Sequence, residues 1–138
     1  MKEEEVRKIT NDFRALQAHV SKWEDAERML AKTLDKFGRI DMLVSNAGVL
    51  PAGHDGTKLA VMEIAEDGRN SVIDTNLNGP FDYAKALSAS MMAQRSSKIV
   101  NLRSSRAFSG LVASVPYAPV KTGVFCMLCR SCQGTWSR

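Results

Sequence analysis

The stretch IDMLVSNAG, residues 40–48, decides the fold. Its apolar centre is short enough for a buried strand, and it runs straight into a glycine turn. A second stretch of the same kind, SKIVNLRSS, occupies residues 97–105. A third, ALQAHV at 15–20, is strand-like by alternation. Between them lie helical patterns. SKWEDAERMLAKTLDKFG, residues 21–38, places Ala26, Met29, Leu30, Leu34 and Phe37 on one apolar stripe. Ser21 and Glu24 have the spacing of a capping box, and Gly38 suits a helix stop. A long helix is expected from Val72 to Gln94, a first helix over residues 2–14 with Val6, Ile9 and Phe13 on one side, and another starting near Tyr117. Strands that alternate with helices predict an α/β protein with a parallel sheet. In such sheets ligands sit at the C-terminal ends of the strands, so the loops after Val44 and Leu102 should face the site.

The 138 residues suit one domain, 44% hydrophobic and 25% charged, as in globular proteins. No apolar run approaches membrane-spanning length, and the charged start MKEEEVRKIT lacks the apolar core of a signal peptide. A cytoplasmic location with no membrane partner is the expectation. The charge of +4 is uneven: residues 1–82 carry 15 acids and 11 bases, and the remainder carries eight bases and no acid. Those bases are scattered singly, without a cluster or an aromatic ladder, so solvated surface cations are expected and no nucleic-acid partner. Cys126, Cys129 and Cys132 have a C-x2-C-x2-C spacing, but a fourth ligand is missing and no metal site is expected. His19 and His54 are isolated, and Trp23 and Trp136 read as packing or surface residues. There are no internal repeats.

VPYAPVKTGV, residues 115–124, sets Tyr117 and Lys121 one helical turn apart. A phenol has a reference pKa of about 10, and a neighbouring ammonium favours its deprotonated form. Such a pair can serve as an acid/base at neutral pH if a third group holds a substrate oxygen. Ser104 and Ser105 end a predicted strand at the edge where ligands bind. Pro80 has no N–H to give the carbonyl four residues back, which belongs to Asn76 and is left for a water. Pro119 is tolerable if the helix begins near Pro116 or Tyr117.

SNAGV at 45–49, IDTNLNGPF at 73–81, KIVNLRSS at 98–105 and YAPVK at 117–121 resemble, in order and spacing, the motifs of short-chain dehydrogenases/reductases. FGRIDMLVSNAG is close to that family's wording, and the likeness runs from about residue 15 to residue 130. The resemblance implies a Rossmann-like doubly wound sheet and hydride transfer between NAD or NADP and a small carbonyl or alcohol. It implies Tyr117 as the catalytic acid/base and Lys121 as the residue that favours its phenolate and holds the nicotinamide ribose. Ser104 would hold the substrate oxygen, and Asn76 would support a proton-relaying water. Asn46, Ala47 and Gly48 would pack the strand end against the cofactor.

The chain departs from the family at both ends. No glycine-rich phosphate-binding turn occurs in it, and the equivalents of the first two strands and of the C-terminal strands are missing. ALQAHV is then a strand without a neighbour, because in the order 3-2-1-4-5-6 two strands separate it from IDMLV. Weak or no dinucleotide binding is expected. His19 stands where the family usually has an aspartate that contacts adenine, Arg69 falls near a usual tryptophan, and Ser45 replaces an asparagine. Residues 131–138, SCQGTWSR, read as a tail foreign to the family; one base of frame shift lets codons for SCQGTWS spell Leu-Ala-Lys/Arg-Glu-Leu-Gly-Pro, which the family would have there. The whole is expected to be a single partial Rossmann-type domain over residues 1–138. The function that the resemblance implies is an NAD(P)-dependent oxidoreductase interconverting an alcohol and a carbonyl, with activity of the truncated chain an open expectation; the alternative is a non-catalytic fragment that associates with full-length relatives through its helices. A homo-oligomer is compatible with either reading.

Overall fold

The computed structural model describes residues 3–51, 61–102, 104 and 116–124. The described elements are α1 (Glu3–Arg7), α2 (Trp23–Phe37), β1 (Met42–Ser45), a 3-10 turn (Val61–Glu63), α3 (Glu66–Ile73), a π turn (Asp74–Asn78), α4 (Gly79–Gln94) and β2 (Lys98–Asn101). Residues 117–124 form a further helix, α5. The expectations for His54, Ser105, the three cysteines, Trp136 and the tail at 131–138 fall outside the described residues.

β1 and β2 pair in parallel, Met42 opposite Lys98 through Ser45 opposite Asn101. Burial alternates along both strands, and Leu43 and Ile99 face the same core. That core is Ile40, Leu87 and Met91, with Leu30 and Leu34 of α2 packed against it. On the opposite face of the sheet Met42 is 51% exposed and Val44 52%. The amide side chain of Gln94 fastens the strand entrance. Its Oε1 accepts from Ile40 N at 3.0 Å and its Nε2 donates to Ile40 O at 2.6 Å.

The strands after Ile40 and Ser97 form as expected, but ALQAHV does not. Residues 15–19 have no ladder partner among the described residues, although their burial alternates as in a strand, with Leu16 and Ala18 inward. A strand is completed by a neighbour's backbone, and among the described residues no strand lies beside this segment.

Two helices also differ from expectation. The first ends at Arg7 and leaves Ile9 82% exposed. The run Thr10-Asn11-Asp12 competes for the backbone, with Asp12 N donating to Thr10 Oγ1 at 3.0 Å. The long helix begins at Glu66, earlier than Val72, and contains the π turn. Just before Pro80, the Gly79 N–H reaches back five residues to Asp74 O, so the wider turn lies where the proline interrupts the regular ladder. Gly79 is also a point of close approach, since a Cβ there would lie 2.8 Å from Val20 O.

α2 stops at Gly38 as predicted, in the left-handed region at φ 71, with its N–H on Leu34 O. Its start differs. The N-cap is Lys22 with no side-chain cap, while Ser21 Oγ pairs with His19 Nδ1. Asp25 in the first turn accepts from His19 N at 2.6 Å and pairs with Arg28, and these hold its carboxyl below the ordinary value. Phe37, expected in the stripe, is exposed beneath the Lys36 ammonium, as the stripe has drifted off the core by the last turn.

Candidate active site

The C-terminal ends of β1 and β2 open into a cavity of about 280 Å³ lined by Asn46, Gly48, Val49, Leu50, Leu102, Ser104, Tyr117 and Lys121. Each side of it has a local cause. The glycine turn after β1 brings Asn46 and Gly48, and the chain leaving β2 brings Ser104. α5 brings Tyr117 and Lys121 because Val120, Lys121 and Val124 are its buried side, 7%, 5% and 3% exposed. Pro119 lies in its first turn, where a missing N–H is harmless. Gly123 lets α5 sit close to Leu77, whose Cδ1 is 3.6 Å from where a Cβ would be.

Lys121 is a buried cation, and desolvation draws its pKa below the ordinary lysine value. Its Nζ lies 6.0 Å from the centre of the Tyr117 ring. Gly48 is the hinge of this arrangement. A Cβ on it would stand 3.3 Å from Asn76 Oδ1 and 3.6 Å from Lys121 Nζ, so the backbone of the turn passes close to both.

Asn76 is fully buried in the π turn. Its side chain is committed to the loop after β1: Nδ2 donates to Val49 O and Oδ1 accepts from Val49 N, both at 2.8 Å. The side chain thus holds the cavity wall and does not line the cavity itself. Ala47 also stands apart, on a neighbouring apolar cavity that Asn46 shares. Ser104, Tyr117, Lys121, Asn46 and Gly48 are the predicted residues brought together. Val49, Leu50 and Leu102 line the same space, though their side-chain chemistry does not mark them as site residues in the sequence. Their signal was position alone, next to the turn and at the end of β2.

The donors around the cavity are hydroxyls, an amide and one ammonium, suited to holding and protonating an oxygen. Among the described residues no group of three His, Cys, Asp or Glu could hold a metal. None of the described helices is long and apolar enough to cross a membrane.

A sequence profile of the family "short chain dehydrogenase" matches residues 2–137. The chain belongs to the short-chain dehydrogenase/reductase family. It is 39% identical over 110 residues to a 3-oxoacyl-[acyl-carrier-protein] reductase of Synechocystis sp., covering 80% of this chain and 42% of that protein. To 3-oxoacyl-[acyl-carrier-protein] reductase FabG of Staphylococcus epidermidis it is 32% identical over 121 residues, covering 88% and 47%. The chain thus spans less than half the length of these two relatives. A metagenomic short-chain oxidoreductase solved in complex with NADP superposes with a TM-score of 0.83 at 21% identity, over 95% of this chain and 57% of the other. A short-chain dehydrogenase from Streptomyces avermitilis gives a TM-score of 0.82 at 22% identity, over 96% and 47%. The two-stranded parallel sheet is therefore part of a Rossmann-type α/β fold, as expected.

Proposed function

We propose that this chain carries the reacting end of an NAD- or NADP-dependent oxidoreductase site that interconverts a carbonyl and an alcohol. The observation that supports it best is the convergence of Ser104, Tyr117 and Lys121, from two separate elements, on one cavity at the strand ends. Asn46, Gly48 and Lys121 are the residues that fit the cofactor's reacting end, since they line the cavity side by side and Gly48 presents only backbone next to Lys121. The cofactor, when bound, supplies or accepts the hydride at the carbonyl carbon. The chain's own groups handle the oxygen. Ser104 Oγ donates a hydrogen bond to it. Tyr117 Oη gives it a proton during reduction and removes one during oxidation. The Lys121 ammonium favours the phenolate left behind, and Asn76 keeps the Val49 loop in place around the substrate. The substrate class proposed first is a 3-oxoacyl thioester, which the names of the Synechocystis and Staphylococcus relatives suggest.

The test is consumption of reduced nicotinamide at millimolar NADH or NADPH with 3-oxoacyl thioesters and simple ketones. Tyr117→Phe should lower the rate by about 10²–10⁴-fold, the usual contribution of a positioned acid/base. An unchanged rate in that variant would remove Tyr117 from the chemistry. No turnover with any of these substrates would favour the non-catalytic reading, association with full-length relatives.

A further inference from the structure

Among the described cations, Lys121 alone is buried. It lines the cavity at the strand ends beside Gly48, with Nζ 3.6 Å from where a Cβ on that glycine would stand. Among the described residues Nζ has no hydrogen-bond or ion-pair partner, and the Tyr117 ring centre is 6.0 Å away. None of the described residues that line the cavity is a carboxylate. A covered and unpaired ammonium is the costly form of a lysine. The balance therefore moves toward the neutral amine, and desolvation is the one cause that acts here. A neutral amine has a lone pair and is a nucleophile. The oxidoreductase reading uses the ammonium and leaves that lone pair without a task.

We propose that Lys121 Nζ captures short-chain aldehydes in this cavity as a covalent imine, without any nicotinamide. The walls fit such a compound. Val49, Leu50 and Leu102 offer an apolar surface to a short alkyl chain, and the Ser104 and Tyr117 hydroxyls lie on the same space for the carbonyl oxygen. Nζ attacks the carbonyl carbon with its lone pair, a C–N bond forms, and the π pair of the C=O bond moves to oxygen. The oxygen takes one proton from Nζ and one from solvent and leaves as water. The nitrogen lone pair then closes the C=N bond of a protonated imine. Hydrolysis runs the same steps backward, so capture is reversible and consumes no oxidant or reductant. Solvated lysines compete poorly, since at neutral pH roughly one in a thousand is an amine.

The probe is butanal with sodium cyanoborohydride, added at neutral pH and without dinucleotide to the full 138-residue chain, with the butyl groups located by peptide mass mapping. The reductant turns each imine into a stable secondary amine and so records where capture took place. Butylation of Lys121 at least about ten-fold faster than that of the exposed Lys8 and Lys98 is expected, because those two ammonium groups keep their water. The N-terminal amine is mapped apart from the lysines, since an ordinary pKa of about 8 makes it reactive in any chain. In urea the preference should vanish. Lys121 labelled no faster than Lys8 and Lys98 in the folded chain overturns the inference. A preference that survives urea overturns it as well, because neighbours in sequence and not the cavity would then make the amine reactive. The readout involves no reductase turnover: failure to trap Lys121 leaves the oxidoreductase reading intact, and a chain without that turnover can still form the imine.

Discussion

A methyl group on Gly48 would meet Asn76 Oδ1 at 3.3 Å and Lys121 Nζ at 3.6 Å. The contact with Lys121 is an ordinary one, but the amide cannot retreat without straining its two bonds to Val49, so the displacement falls on the loop. Gly48→Ala should therefore destabilise the chain by about 1–3 kcal/mol in urea denaturation, as overpacking does, and should speed exchange of the Val49 amide. A stability equal to wild type would mean the turn is loose. Lys121 gives a second prediction. Burial lowers its pKa below the unfolded value of 10.5, so the unfolded chain holds this proton more tightly. Between the lowered pKa and 10.5 the folded state binds fewer protons, and stability rises with pH; below that window the penalty of burying the charge is present in full. The stability of wild type minus that of Lys121→Met should be flat near neutrality and climb through the alkaline window. A difference that fell there would mean the ammonium gains more from partners than it loses by burial.

The elements show which signals a sequence carries and which it does not. β1 and β2 were legible because a short apolar run ending in polar turn residues has few other solutions, and Gly38 marked the end of α2 because only a glycine enters the left-handed region without strain. The start of α3 was not legible, since Glu66–Ile73 contains Gly68, Asn70 and Ser71, which are poor helix formers held in place by packing of Gly68 and Val72. In the site, side-chain chemistry marked Ser104, Tyr117 and Lys121, but the pairing of Asn76 with Val49 is made to a backbone and carries no residue signature. Two glycines at helix ends separate conformational from contact effects. Gly38→Ala meets nothing within 4 Å, so only the left-handed backbone resists it, at about 1–2 kcal/mol. Gly79→Ala places a carbon 2.8 Å from Val20 O, a backbone atom that cannot rotate away. It should cost more than Gly38→Ala and shift the amide resonances of residues 15–20, whereas Gly38→Ala should leave those resonances in place. Equal effects would show that Val20 is not held against α4.

At the scale of the molecule, a parallel sheet is ordinarily covered on both faces, and here one face exposes Met42, Val44 and Val100. The described chain thus presents half of a binding arrangement. It holds the groups that would handle an oxygen and the ribose next to it, in a cavity of about 280 Å³. The glycine-rich turn that would cradle a pyrophosphate occurs nowhere in its 138 residues. Much of the hold on a dinucleotide comes from such a turn, where the N–H groups at a helix start face the phosphates. Calorimetric titration of this chain with NADPH should therefore give no saturation at micromolar concentrations, because the remaining contacts act on the nicotinamide end alone. A micromolar Kd would mean that some other group binds the phosphates, and the scattered cations after Asp82 would be the first place to look.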